Sequence, residues 1–499
     1  MQDILMGLVD TFQPMTILVM FIGIIGGIII GAIPGMSGSM GIILLLPLIY
    51  RLDTIPSMVV LAAMFCGSMY GGSVSAILLR TPGTPSASAT VVDGYPMAQN
   101  GQAGKALATA CIASAFGGLV SGICLLFIAP QLAKVALSFQ APEFFALAIF
   151  GLTLMASSSS ASTIKGLVSG FFGLLLSTVG VDLISGNMRF TFNSIKLMGG
   201  FNILPVLVGI FAFAQVFLDL SKKDEDTVVQ KTGSLRSMLP NRKEMKAILL
   251  PMIVGSVIGV SIGIIPGTGG AIACFLAYEV AKRFSRHPEK YGTGYVEGIA
   301  APEAANNGTT GGAFVPLLTL GIPGDTVTAV MLGAFMLVGI RPGPQLFTEA
   351  SHEVYTFFMA FIIMQFVMLI FGLGGTKLWS KVLNAPRVVL MPLILLFCFL
   401  GAFTLSNSTG DAVIALIFGL LGYFMQKFGY PGAPMILGLI LGPMAEQNLN
   451  RALLISHGDW SVFLTRPISL AFILVTIASI VYSVVSANRK KKHPKGASK

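Results

Sequence analysis

The residues able to do chemistry in this sequence gather around four Pro-Gly pairs: Pro34-Gly35, Pro82-Gly83, Pro266-Gly267 and Pro323-Gly324. Beside the first two stand Ser37, Gly38, Ser39, Ser73, Ser75, Thr81, Thr84 and Ser86. Beside the other two stand Thr268, Gly269, Asn306, Asn307, Thr309, Thr310, Thr319, Asp325 and Thr326. Proline lacks an N–H and clashes with the preceding turn, and glycine tolerates positive φ, so each pair ends a helix. A helix that restarts after such a break points unpaired N–H groups and a partial positive charge into the gap, which suits a carboxylate. Carbonyls on the other side of the gap, with hydroxyls and amides around them, suit Na⁺.

On this chemistry the expected substrate contacts are Pro34, Gly35, Ser37, Gly38, Pro82, Gly83, Thr84, Pro266, Gly267, Thr268, Gly269, Asn306, Asn307, Pro323 and Gly324. A coupling ion, with Na⁺ as the metal, falls to Asp325, Thr326, Ser73, Thr309 and Thr310. Asp325 directly follows a break and precedes an apolar run, so it is the first choice for a cation ligand. Its counterpart in the first half is Thr84. Glu303 and Asp411 each offer a carboxylate that could instead cap a helix start. Arg80 could pair with an anionic substrate or snorkel to the interface. For single Ser and Thr positions, close helix packing is an equally good reading.

The surroundings of these residues are a membrane protein's. Of 499 residues 54% are hydrophobic and only 10% charged, with a mean hydropathy of +0.84, where a soluble domain carries about a quarter charged residues. Apolar runs at Met15–Ile33, Leu107–Ala129, Phe145–Met155, Val206–Leu218, Ala247–Ile265, Phe357–Leu373, Val388–Phe403 and Ile468–Val485 predict roughly 10 to 14 transmembrane or re-entrant helices. No strand-length alternation suggests a β-barrel. The expected class is therefore an all-α polytopic membrane protein.

The net charge of +10 sits in two clusters, six Lys/Arg in Arg489–Lys499 and seven in Ser221–Lys246. Such clusters flank helices on the cytoplasmic side, so they predict a cytoplasmic C-terminus and a lipid bilayer, not nucleic acid, as the partner. With Asp3 and Asp10 and no basic n-region, no cleaved signal peptide is expected. Cys66, Cys111, Cys124, Cys274 and Cys398 lie in apolar stretches without CxxC spacing and read as inert thiols.

The breaks recur. "GAIPGMSG" (Gly31 to Gly38) matches "GIIPGTGG" (Gly263 to Gly270), and Pro82-Gly83 matches Pro323-Gly324. Further on, Gly170, Gly173 and Gly180 fall on Gly419, Gly422 and Gly429. These matches divide the chain into a first repeat at 1–220, a hydrophilic cytoplasmic linker at 221–246, a second repeat at 247–487 and a basic tail at 488–499. After the first motif, "AKRFSRHPEKYG" carries four Lys/Arg where the equivalent "YRLDTIP" carries one. That asymmetry favours repeats inverted in the membrane, the arrangement many secondary transporters use for alternating access.

Over essentially its whole length the chain resembles the large membrane subunit of the tripartite tricarboxylate transporters. The resemblance rests on the two motifs above, on "GGSVSAILLRTPGTPSASATVVDGYPM" and on "APEAANNGTTGGAFVPLLTLGIPG". It implies a multi-pass permease of the bacterial inner membrane. Such a permease works with a small four-helix membrane subunit and a periplasmic solute-binding protein. It would take up a tricarboxylate- or dicarboxylate-like organic acid on an ion gradient, without ATP, in keeping with the absence of a Walker motif. The resemblance transfers no catalytic residue and no cofactor, and it leaves Na⁺ against H⁺ open. Few carboxylates among many hydroxyls and glycines favour Na⁺.

Three other readings compete. A binding-protein-independent carrier or an anion channel would also use broken helices. The last, an intramembrane aspartyl protease, needs two catalytic Asp residues in a Gly-x-Gly-Asp context, whereas Asp325 and Asp411 follow "GIPG" and "NSTG". The four histidines, His287, His352, His457 and His493, lie in loops, at a helix edge or in the tail, so an enzyme is not expected.

Overall fold

The computed structural model describes residues 2–492 except 158–162, 183–185, 221–237, 268, 377, 380–391, 393, 397, 401–402 and 404–407. The hydrophilic linker largely falls outside the described residues, as do Thr268 and the end of the tail. Among the described residues seven helices are long and apolar enough to cross a membrane, and five shorter ones are apolar. The strands among them are two-residue pieces, Gly180–Val181 and Met188–Arg189. The all-α polytopic architecture stands.

The segment expected as the first repeat runs α1 (Gln2–Thr11), α2 (Pro14–Ala32), α3 (Gly38–Ile49), α4 (Thr54–Leu79), a 3₁₀ turn (Pro85–Ser88), α5 (Val91–Met97), α6 (Ala103–Ala136), α7 (Ala141–Ser157), α8 (Thr163–Ser177) and α9 (Ile203–Leu220). The second continues with α10 (Arg242–Ile264), α11 (Gly270–Phe284), α12 (Val296–Leu320), α13 (Thr326–Leu337), α14 (Ser351–Gly374), α15 (Thr409–Lys427), α16 (Gly432–Ile455) and α17 (Pro467–Lys492).

The two repeats pack by one rule. Gly23, Gly27 and Gly31 form a stripe on α2, where an added methyl would lie 2.7, 2.5 and 2.2 Å from the carbonyl oxygens of Val60, Met64 and Ser68 on α4. On α10, Gly255, Gly259 and Gly263 meet Ala301, Ala305 and Thr309 of α12 in the same way, at 2.2, 2.4 and 2.8 Å. Glycines one turn apart let two backbones touch, the close packing that substitutes for a hydrophobic drive in lipid. Every partner in the second set is the sequence equivalent of one in the first.

The equivalent helices α4 and α12 also touch each other, and they run antiparallel. Phe65 packs on Phe314 with ring centroids 6.0 Å apart, Met69 accepts a hydrogen bond from Asn306 Nδ2 at 3.2 Å, and Ser73 Oγ donates to Glu303 at 2.5 Å. As the α4 number rises, the α12 number falls. Equivalent residues meet near Ser68 and Thr309, midway along both helices. Around this crossing α6 runs parallel to α12, with Ser114 at Glu303 and Ser121 at Asn307. Its counterpart α14 runs parallel to α4, with Gln365 at Cys66 and Gly372 beside Tyr70.

Outer helices cross between repeats. Gly173 of α8 would meet the Met435 carbonyl of α16 with any added methyl, while Gly422 of α15 packs on Ile210 of α9. The third pair of glycine patterns thus marks contacts each repeat makes with the other, so the two halves form one interleaved body.

Candidate functional site

All four breaks meet at the α4–α12 crossing. The α2 stripe is in register with α4, so Ala32 at the end of α2 lies level with Gly71, partway along α4. The chain turns at Pro34-Gly35, with Gly35 at φ 92°, and α3 starts with Gly38 against the Ser68 side chain. The second repeat repeats this: Gly267 turns at φ 80°, and α11 starts with Gly270 against Thr309. These two glycines need the left-handed region, which a Cβ disfavours.

The second breaks dip to the same level. α4 ends on Arg80 in a left-handed conformation, and α12 on its equivalent, Gly321, likewise. Each chain then folds back. Gly83 donates its N–H to the Gly72 carbonyl at 3.1 Å and packs directly on the Gly31 carbonyl. In the second repeat Gly324 lies against Ala313 and Gly263.

A crosswise relation joins the repeats. Gly38 of the first repeat faces Val327 of the second, and Gly270 of the second faces Ser86 of the first, the equivalent of Val327. The start of α3 thus faces the start of α13, and the start of α11 faces the 3₁₀ turn. The expected substrate residues on these segments are brought together, Thr268 lying outside the described residues.

The two facing pairs differ in how their N-termini are satisfied. Ser37 caps α3 by accepting from Met40 N–H at 3.4 Å. Asp325 caps α13 in a capping box, accepting from Thr328 N–H at 2.8 Å while Thr328 Oγ1 accepts from Asp325 N–H at 2.9 Å. Gly269 has no side chain to cap α11, and the Thr84 side chain does not cap the 3₁₀ turn. Gly270 at this uncapped pair lies against the buried side chains of Ser86 and Thr309, and the buried amides of Asn306 and Asn307 stand within one turn of Thr309 on α12. Neither polar atom of the Asn307 side chain finds a hydrogen-bond partner among the described residues, an uncommon state for a buried amide.

The expected coupling-ion residues separate. Thr309 and Thr310 lie at the crossing, their hydroxyls donating to the carbonyls of Asn306 and Asn307 at 2.6 Å. Ser73 lies further along α4 and donates to Glu303. Asp325 and Thr326 sit at the start of α13. Glu303 is no helix cap: it stands well inside α12, fully buried, as acceptor for Ser73, Thr90 and Ser114. Asp411 stands in the first turn of α15, three residues after the N-cap position Ser408, whose side chain makes no capping hydrogen bond. Arg80 is exposed over the Tyr95 ring, 5.8 Å from its centroid.

Sequence reasoning did not find Asp93. It is fully buried and accepts from the N–H groups of Gly292, Gly294 and Tyr295 at 2.8 to 3.0 Å and from Tyr278 O–H at 2.8 Å. The "DGY" around it belongs to a string that carries the family resemblance, but it names no partner, and the partners lie some 200 residues away. Nor did it find a cavity of about 690 Å³ beside the second break of the second repeat, lined by Gly321, Arg341, Gln345, Asn448 and Arg451 among others.

The sequence model described as the tripartite tricarboxylate transporter TctA family matches residues 17–437, spanning both pairs of breaks. The chain belongs to this family. As a TctA-family chain it is a multi-pass membrane component of a tripartite transport system. A relative from Agrobacterium vitis, named for its place as an uncharacterized 52.8 kDa protein in the TAR-I ttuC' 3'region, is 37% identical over 98% of this chain and 97% of its own length. A second protein from that organism, from the TAR-II ttuC' 3'region, is 36% identical over 47% of this chain and 97% of its own length. No solved structure matches this TctA-family chain significantly.

Proposed function

We propose that the chain is the large permease subunit for ion-gradient-driven uptake of a carboxylate across the bacterial inner membrane. The observation that carries this reading is the crosswise meeting of the breaks, Gly38 with Val327 and Gly270 with Ser86. Four interrupted segments around one pseudo-symmetry centre are what a secondary carrier needs to hold a solute halfway across.

The carboxylate binds on the uncapped side, against the N–H groups at the start of α11 and the hydroxyls of Ser86 and Thr309. A partial positive helix end with no side-chain cap favours an anion, whereas α13 already has the Asp325 carboxylate. The unpartnered Asn307 amide supplies further hydrogen bonds. Arg341 and Arg451 in the neighbouring cavity attract the anion toward the breaks.

The repeats are inverted in the bilayer, a reading supported by the antiparallel run of equivalent helices α4 and α12. A small four-helix subunit and a periplasmic binding protein complete the machine, with the C-terminus cytoplasmic. Na⁺ is the coupling ion, and Asp325, Thr326, Thr309 and Thr310 are ligands proposed for it near the breaks.

Reconstitution tests this. The protein, its companion subunit and its binding protein in liposomes should accumulate a labelled di- or tricarboxylate under an inward Na⁺ gradient. Accumulation should need the binding protein. Conductance that needs neither gradient nor binding protein would refute a tripartite carrier.

A further inference from the structure

Two carboxylates of this protein are fully buried with no basic partner among the described residues: Asp93 and Glu303. The groups that hold them differ in kind. Three of the four donors to Asp93 are backbone N–H groups, which can only donate. That cradle offers Asp93 hydrogens and, apart from the Tyr278 oxygen, no lone pair. Glu303 is held solely by hydroxyls: Ser73 of α4 at 2.5 Å and Thr90 at the N-cap of α5 on Oε1, and Ser114 of α6 at 2.9 Å on Oε2. A hydroxyl rotates about its C–O bond and offers a lone pair as readily as a hydrogen.

We propose that Glu303, Ser73, Thr90 and Ser114 form a binding site for a monovalent cation, Na⁺, that couples transport to the ion gradient. Three hydroxyls from α4, α5 and α6 converge on the two oxygens of one α12 carboxylate, and oxygen ligands are those a hard cation takes. An unpaired carboxylate deep in a membrane protein is costly, and one monovalent cation cancels its charge. The side chains that titrate nearest to it are Tyr70 of α4, Cys111 of α6 and Cys274 of α11, which are ordinarily neutral at physiological pH. None supplies a compensating positive charge.

The location explains coupling. Thr90 follows the 3₁₀ turn at Pro85–Ser88, which faces the start of α11. Ser73 lies next to Gly72, the acceptor that holds the dipping Gly83. A cation drawing Ser73, Thr90 and Glu303 together therefore ties the first repeat's second break to α12, one turn from Asn306 and Asn307. The site lies outside the breaks and was not among those the Pro-Gly motifs suggested, apart from Ser73. It rests on the carrier reading above for its role, though not for its chemistry.

The test is equilibrium binding of ²²Na⁺ to the purified full-length protein in lipid nanodiscs. Wild type should bind it saturably, with unlabelled Na⁺ competing and choline not. In an Asp325→Ser background, which removes the carboxylate proposed as a ligand near the breaks and should by itself still bind, Glu303→Gln, nearly the same shape, should lose binding. Ser114→Ala should weaken it, and Glu446→Gln, at a half-exposed ion pair elsewhere, should not change it. Retained binding in Asp325→Ser/Glu303→Gln, or none in a monodisperse wild type, overturns the proposal. Infrared difference spectra across pH form the second arm. A protonated-carboxyl band that disappears in Glu303→Gln, with no ²²Na⁺ binding, would assign the site to a proton and overturn Na⁺. Because binding needs no solute, failure of carboxylate accumulation with intact ²²Na⁺ binding would strike the carrier reading alone.

Discussion

The backbone N–H of Gly267 donates to the carbonyl of Gly324 at 2.8 Å, clasping the first break of the second repeat to its second break. In the first repeat Gly83 turns its N–H to Gly72 instead, at 3.1 Å. Equivalent segments thus hold themselves by different bonds. On the proposed reading, repeats that are inverted and exchange roles during transport must differ from one another in any single state, and this clasp would be one such difference.

The glycines at these tips should not tolerate side chains, and their sensitivities should rank. An added methyl at Gly83 would sit 1.9 Å from the Gly31 carbonyl, a backbone atom with nowhere to go, whereas at Gly324 it would sit 2.8 Å from the Ala313 methyl. Overpacking costs about 1–3 kcal/mol. Gly83→Ala should abolish uptake and lower the thermal midpoint, and Gly324→Ala should reduce uptake less. Gly267→Ala has a different cost, about 1–2 kcal/mol for a left-handed residue with a Cβ. It should insert normally but lose uptake, as size-exclusion profiles and transport assays on one preparation would show.

The sequence carried the breaks because Pro-Gly in an apolar run has a local physical meaning, and it carried the repeat because glycine stripes must recur where backbones touch. Gly31 and Gly263 were readable as equivalents for that reason. It did not carry the crosswise meeting of Gly270 with Ser86, since that depends on how two repeats interleave. Asp325 was legible as a carboxylate after a break, but Thr328 three residues on, which makes it a cap, was passed over. Glu303 was hardest: an acidic residue among alanines gives no hint that Ser73, Thr90 and Ser114 lie around it.

Capping and cation binding at Asp325 can be separated by substitution. Serine still accepts from the Thr328 N–H, whereas alanine does not, and losing an N-cap costs about 1 kcal/mol. Asp325→Ser should keep the thermal midpoint of the wild type, and Asp325→Ala should lower it. Apparent Na⁺ affinity in uptake should fall for both, because both lose the charge. Unchanged Na⁺ affinity in Asp325→Ser would confine Asp325 to capping.

Asp93 predicts a purely structural loss. Hydrogen bonds to a charged group are worth about 1.5–3 kcal/mol each, and Asp93 receives several from the segment Gly292–Tyr295. Asp93→Ala should release that segment, lower the thermal midpoint more than any capping variant and expose the 292–295 amides to hydrogen exchange. Tyr278→Phe removes a single donor and should cost far less. Equal midpoints for the two variants would show that the backbone cradle contributes little.

The topology can be decided from two positions. Asp53 is the N-cap of α4, and Arg286 lies in the connection that leads into α12. Because α4 and α12 run antiparallel, their starts lie at opposite ends of the bundle. Where α12 crosses the bilayer as the apolar α4 is able to, a cysteine at Asp53 and one at Arg286 must face opposite sides. A membrane-impermeant maleimide added to intact spheroplasts should label one and reach the other only after permeabilisation. Cys66, Cys111, Cys274 and Cys398 are buried and should contribute little background, and replacing the half-buried Cys124 removes the rest. The four Lys/Arg of "AKRFSRHPEKYG" place Arg286 inside by the positive-inside rule, so Asp53 should be the externally labelled position. Labelling of both from the same side would end the inverted-repeat reading and leave the antiparallel helices needing a different membrane arrangement.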